Sequence, residues 1–244
     1  MSNSPLVSYT MLSPNKTSPR NHKIDTVTVH CMAGDLSVER CGALFADPKR
    51  QASSNYGIGS DGRIALYVEE CDRSWCSSNR ENDHRAVTIE VANTEAKAPW
   101  PVSQAAYDAL IDLLEDICRR NGIEKLRWQG APSLVGRPEE QNMTVHRWFA
   151  AKECPGDYLY NLHGRIEEEV NARLESSAET DNAGRFSDVP SGVWYAEAVE
   201  GVADLGIMIG TGEDRFEPDR PMTRAEVAAA LWKFYQVSMK EKLK

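Results

Sequence analysis

Five histidines (22, 30, 84, 146, 163) and six cysteines (31, 41, 71, 76, 118, 154) set the metal chemistry open to this chain. His146 and Cys154 lie eight residues apart in Val145-His-Arg-Trp-Phe-Ala-Ala-Lys-Glu-Cys-Pro-Gly156, a spacing that suits two ligands on one loop. His30 ends the β-branched run Ile24-Asp-Thr-Val-Thr-Val-His30 and would complete a three-ligand zinc site whose fourth position stays open. On spacing alone, a surface histidine and an unrelated buried thiol are the favoured reading. Glu90 adds a carboxylate mid-strand, on the parity of Ala86, Thr88 and Ala92, with Val87, Ile89 and Val91 on the other face. Small neighbours leave room above it for a substrate, as a general base requires. The other reading is an edge strand whose polar face is simply wet.

Strands are expected at 24–30, at Arg63–Val68 after the turn Ser60-Asp-Gly62, and at Ala86–Ala92. On its parity with Thr26 and Thr28, His30 should project from the polar face of its sheet. Ser103 caps a helix whose apolar face is Ala106, Leu110, Leu113 and Ile117, ending at Asn121-Gly122. A second helical pattern runs from Leu159 to about Leu174. Ser176 to Gly184 is small and polar without periodicity, which places a linker there. Beyond it, Trp194, Ala198, Val202 and Leu205 form a helical face that stops at Gly206. Thr223-Arg-Ala-Glu226 is a capping box opening a last helix, with Val227, Leu231 and Phe234 or Tyr235 inward.

Four segments carry a family resemblance: Thr28-Val-His-Cys-Met-Ala-Gly34, Ser53-Ser-Asn-Tyr-Gly-Ile-Gly-Ser-Asp-Gly62, Val87-Thr-Ile-Glu-Val-Ala-Asn93, and Thr144-Val-His-Arg147 continuing through Lys152-Glu-Cys-Pro-Gly156. Together they resemble the zinc-dependent N-acetylmuramoyl-L-alanine amidases of type 2. That family includes phage endolysins, bacterial autolysins and peptidoglycan recognition proteins. The resemblance implies an α/β fold, a central mixed β-sheet flanked by helices, over residues 1–165. It implies one Zn2+ on His30, His146 and Cys154, Glu90 as the catalytic acid/base, and Lys152 as the cation that steadies the transition state. Trp75 and Asn93 fall to the substrate groove, and Tyr56 to the groove or to packing. Some phage relatives have a tyrosine where this chain has Ser54, and many have Trp-His where it has Trp75-Cys76.

The segments Phe186-Ser-Asp-Val-Pro190, Trp194, Leu205-Gly-Ile207, Phe216-Glu-Pro218 and Thr223-Arg-Ala-Glu226 resemble one S-layer homology repeat. The expectation is an acidic helix end and linker over 166–184, then a small all-α helix–loop–helix module over 185–244. By the resemblance that module binds an anionic secondary cell-wall polymer through Asp188, Trp194 and Arg224. A unit this small leans on a neighbour or a second copy, so self-association through residues 185–236 is a further expectation.

Composition narrows the rest. With 244 residues, 27% charged and a net charge of −9, the chain is globular and too acidic for a nucleic-acid partner. No run approaches the ~18 apolar residues of a membrane span. The first residues lack a basic region followed by an apolar run, so synthesis in the cytoplasm and action on the wall after release are expected. The cysteines are too scattered for a disulfide scaffold; mostly free thiols are the simple reading, although Cys71 and Cys76 are near enough to bridge. The favoured function is peptidoglycan lysis by an endolysin. A secreted autolysin and a non-catalytic peptidoglycan receptor on the same fold are the alternatives.

Overall fold

The computed structural model describes residues 2–182, 185–190, 193–212 and 214–241, in two compact units, 1–174 and 175–244. In the first unit the strands are β1 (Tyr9–Thr10), β2 (Lys16–Thr17), β3 (Thr26–Cys31), β4 (Tyr56–Ile58), β5 (Ile64–Leu66), β6 (Arg73–Ser74), β7 (Ala86–Val91) and β8 (Met143–Thr144). The helices are α1 (Val38–Ala46), α2 (Arg80–Arg85), α3 (Gln104–Asn121) and α4 (Gly156–Asn182). Six strands form one mixed sheet in the order β1-β5-β4-β7-β3-β8, and β2 pairs with β6 in a separate ribbon. β3 and β7 run parallel at its centre, which places His30 beside Glu90 and Thr28 beside Thr88.

Central strands need both faces covered. Val27, Val29, Val87 and Ile89 form one face and pack into a core with Leu110, Leu113 and Ile117 of α3 and Leu159, Ile166 and Val170 of α4. α3 runs as its sequence indicates: the Ser103 hydroxyl accepts from Ala106 N–H at 3.0 Å, and Gly122 closes the helix at φ 66°.

His30 lies, as expected, on the opposite, polar face, and that face is covered. Thr26, Thr28 and His30 are all buried. Polar side chains cover that face and satisfy each other: Thr28 Oγ1 meets Thr144 Oγ1 at 2.7 Å and accepts from Asn82 Nδ2 of α2 at 3.0 Å. Thr88 Oγ1 meets Ser74 Oγ at 2.7 Å. Nearer the edge of the sheet the cover turns apolar, with Val38, Cys41 and Phe45 of α1 against Ala65 and Tyr67. Gly57 is the β4 partner of Glu90, and a Cβ there would come within 2.4 Å of the Tyr67 ring. That close packing leaves no side chain from β4 beside the carboxylate.

α4 runs on to Asn182, through most of the segment expected to be a linker; Ala183 and Gly184 lie outside the described residues. All six cysteines are free thiols, Cys71 and Cys76 included. Among the described residues no helix is long and apolar enough to cross a membrane.

The second unit holds α5 (Ala196–Asp204) and α6 (Arg224–Glu241). Its core is Phe186, Val189, Val199 and Ala203, with Phe216 packed against them and the two phenylalanine rings 5.1 Å apart. The expected face of Trp194, Ala198, Val202 and Leu205 is thereby displaced by about one position. α5 begins only at Ala196, and its buried stripe continues to Ile207, leaving Trp194 93% and Leu205 52% exposed. The capping box is present: Thr223 N–H donates to Glu226 Oε2 at 2.7 Å, and Glu226 N–H to Thr223 Oγ1 at 3.2 Å. The inward face predicted for α6 is not buried; Val227, Leu231, Phe234 and Tyr235 are 42%, 64%, 57% and 52% exposed. Two short helices and a loop supply too little chain to cover both helices.

Candidate active site

His30 is the fifth of six residues in β3, and its position there shuts its ring wholly from solvent. His146 opens a 3₁₀ turn just after β8, the neighbour of β3, so the two imidazoles meet with centroids 5.1 Å apart. Cys154 returns on the loop before α4, with its sulfur 3.4 Å from His30 Nδ1 and 3.4 Å from the Cys31 N–H. One donor atom from each of His30, His146 and Cys154 lies within 4.8 Å of the others. Arg147 holds the loop. Its N–H donates to Cys154 O at 3.0 Å, its guanidinium bonds the Glu153 carbonyl and Asp157, and it lies over the Tyr160 ring.

The electrostatics suit a cation. Burial, then the neighbouring His146, keeps His30 well below its ordinary pKa, and burial with Lys152 lowers His146. Both rings are therefore neutral and able to ligate near neutral pH. A hydrogen bond with Cys31, burial and the Glu90 charge push the Cys154 thiol up, so a bound cation must displace that proton. The His30 nitrogen that faces the Cys154 sulfur is Nδ1, so that lone pair points into the gathered donors. Two imidazoles and a thiol, closely gathered, are a donor set that fits zinc.

Glu90 and Lys152 line a groove of about 580 Å³ with His146 and Cys154. Burial above all, with the Cys31 sulfur, raises the Glu90 carboxyl well above the usual carboxylate range. Its Oε1 lies 3.8 Å from the Cys76 sulfur, and its Oε2 is buried without a partner. Lys152 is exposed at the groove rim.

Residues 20–157 match the sequence pattern described as N-acetylmuramoyl-L-alanine amidase, more than half of the chain. The chain belongs to the N-acetylmuramoyl-L-alanine amidase family. Residues 185–228 match the S-layer homology domain. The amidase fold is shared with the structure of PlyL, at a TM-score of 0.50 and 14% identity, covering 66% of this chain and 95% of that one. An amylopullulanase of Thermoanaerobacterium thermosulfurigenes is 37% identical over 65 residues. The outer membrane protein SlpA of Thermus thermophilus is 38% identical over 60 residues. The chain spans only 3% and 6% of the length of those two curated relatives.

The structure brings together His30, His146, Cys154, Glu90, Lys152 and Trp75. Trp75 lines the groove, anchored by Nε1 donating to Thr17 Oγ1 at 2.9 Å. Tyr56 is not a groove residue. It is fully buried in the core, where its hydroxyl accepts from Ser4 N–H at 2.9 Å and donates to Glu70 Oε1 at 2.6 Å. β4 turns it to the apolar face, because Gly57 and not Tyr56 pairs with Glu90. Asn93 also lies outside the groove, buried and donating to the Trp100 carbonyl at 2.8 Å. Trp100 in turn donates to Glu153, next to Cys154, so Asn93 braces the ligand loop from behind.

Several groove residues were not visible in the sequence. Ser78 meets His146 Nε2 at 3.0 Å, and the buried Asp83 accepts from the Cys76 and Ser77 N–H groups at 3.0–3.1 Å. Arg50, Arg73 and Arg80 add three cations to the lining. They come from a short turn, a loop, the two-residue strand β6 and the six-residue helix α2, segments too short to leave a periodic signal. In the second unit Asp188 is already engaged, accepting from Phe216 N–H and Glu217 N–H at 2.8 Å each. Trp194 and Arg224 stand exposed.

Proposed function

We propose that the chain is an endolysin-type peptidoglycan hydrolase that cuts the amide between the lactyl group of N-acetylmuramic acid and L-alanine of the stem peptide. The observation that supports it best is the gathering of three zinc-type donors beside a groove that a carboxyl and an ammonium also line. Zn2+ bound to His30, His146 and Cys154, one per chain, supplies Lewis acidity that polarises the carbonyl and makes water a better nucleophile. Glu90 accepts the proton of the attacking water as the new C–O bond forms. Lys152 offers its charge to the oxygen that becomes negative. Glu90 then returns the proton to the amide nitrogen as the C–N bond breaks, giving a lactyl carboxylate and a free alanine amine. A carboxyl held above its usual pKa by burial is suited to keeping that proton between the two steps.

In the second unit, the reading is adhesion to an anionic wall polymer, with Arg224 as the cation and Trp194 as a stacking surface. Arg224 begins α6, where helix N–H groups also favour negative charge. Asp188 holds the 216–217 loop and so builds the module without touching the polymer. The uncovered apolar stripe of α6 supports association between copies of this unit, which raises apparent affinity by multivalency.

The test is incubation with purified walls of several peptidoglycan types and mass spectrometry of the new ends. New muramic acid carboxyls and alanine amines uphold the reading. Binding without new ends would leave a receptor on the same fold, and new ends at another bond would make the chain a different wall hydrolase.

A further inference from the structure

His30, Cys76 and Glu90 form a second group of donors, with one atom of each within 4.8 Å of the others. It overlaps the first only at His30. On two of these residues a polar atom, His30 Nε2 and Glu90 Oε2, is buried and lacks any hydrogen-bond partner. The third donor is placed firmly. Cys76 is pinned through its backbone N–H to Asp83, which directs its sulfur to 3.8 Å from Glu90 Oε1. Both Cys76 and Glu90 line the groove, so a cation can reach them from solvent.

We propose that Cys76 and Glu90, beside His30, form a second and weaker seat for a thiophilic divalent cation, and that filling it shuts the amidase site down. Thiol, carboxylate and imidazole are zinc and cadmium donors by type. The seat is weaker because it adds only two donors to an imidazole whose other nitrogen the first seat holds, and because filling it must release both the Cys76 thiol proton and the remaining ring proton of His30 to solvent. Inhibition follows because a cation on Glu90 occupies the lone pairs that would take the proton of the attacking water. This last step rests on the function proposed above; the seat itself does not.

The experiment uses the full chain carrying one Zn2+ and titrates it with Zn2+ or Cd2+ chloride. Binding is followed by calorimetry, and sulfur coordination by thiolate-to-cadmium absorption in the ultraviolet. The expected result is a second equivalent that binds at least about tenfold more weakly than the first and brings new thiolate absorption. Cys76→Ser should remove that absorption while the first equivalent stays, and Glu90→Gln should weaken the second by roughly tenfold or more. Cys71→Ser should change neither. Turnover on walls should fall as the second seat fills, and in Cys76→Ser it should resist the same excess of cation. No second equivalent, or one that survives Cys76→Ser, overturns the seat. One lost in Cys71→Ser would lie instead at Glu69, Cys71 and Asp72, and overturns it too. A second equivalent on Cys76 in a chain that cuts no wall amide upholds the seat and removes the function it was thought to inhibit.

Discussion

His30 and Glu90 stand side by side in register on the parallel strands β3 and β7. The metal ligand and the proton carrier of the proposed reaction are thus fixed by one ladder of backbone hydrogen bonds, His30 buried and Glu90 opening on the groove. Their spacing is set by the strands and not by loops, which favours a preorganised site.

Removing one ligand should empty the metal seat. Cys154→Ala leaves two imidazoles, and elemental analysis should then find zinc well below one per chain, with wall hydrolysis abolished. Chelation of the unaltered chain should have the same effect and Zn2+ should reverse it. A Cys154→Ala chain with full zinc and full turnover would refute the assignment.

Glu90→Gln keeps the shape and removes the base. Turnover should fall on the order of 10²-fold or more, while zinc content and wall binding stay as they were. Near-normal lysis by this variant would mean that the proton goes elsewhere.

Tyr56→Phe separates packing from catalysis. The lost hydroxyl bonds to Ser4 and to the Glu70 carboxylate should cost about 1–3 kcal/mol of stability. Turnover should stay within about twofold, since the ring remains in the core. A large loss of turnover without a loss in stability would return Tyr56 to the groove.

His163 gives the fold a pH dependence of its own. It is buried against Trp128, its Nδ1 donates to Leu159 O at 2.7 Å, and Nε2 has no partner to bond if protonated. Burial lowers its pKa from 6.5 to about 4. Between those values the unfolded chain binds the proton and the folded one does not. Stability is therefore complete above the unfolded pKa and declines as pH falls toward the folded one, by roughly 3 kcal/mol in all. Urea melts of wild type and His163→Phe at several pH values check this: the variant should lose less stability on acidification. Parallel losses in the two proteins would show that His163 does not contribute.

In the second unit, Arg224→Ala and Trp194→Ala should each weaken wall binding roughly tenfold without lowering the melting temperature, as both side chains are exposed. Asp188→Ala should lower it, because the 216–217 loop loses both of its carboxylate bonds. Sedimentation with purified walls and circular dichroism melts distinguish the two classes.

The sequence by itself determined the main strands, α3 with both of its caps, the two-unit order of the chain, and the donor set His30, His146, Cys154 with Glu90. The elements are legible because strand alternation, helical spacing and capping are local, whereas the donor set is carried by the family resemblance of four segments, since spacing alone favours a surface histidine and an unrelated thiol. Tertiary structure alone decided burial. Thr28 and Thr88 read as a polar face in sequence, and only the fold shows that Asn82, Thr144 and Ser74, from other segments, cover it. Asn93 read as a groove residue, and Tyr56 as a groove or packing residue, until the register with β7 and the Trp100 loop turned them inward. The reverse held for α6, whose apolar stripe promises a core that so short a unit has no chain to build. Cys76 became a neighbour of Glu90 only through Asp83 and the loop before α2, a contact that no periodicity encodes. Local physics writes the elements, whereas burial depends on which remote surfaces meet, and that is a property of the packed chain.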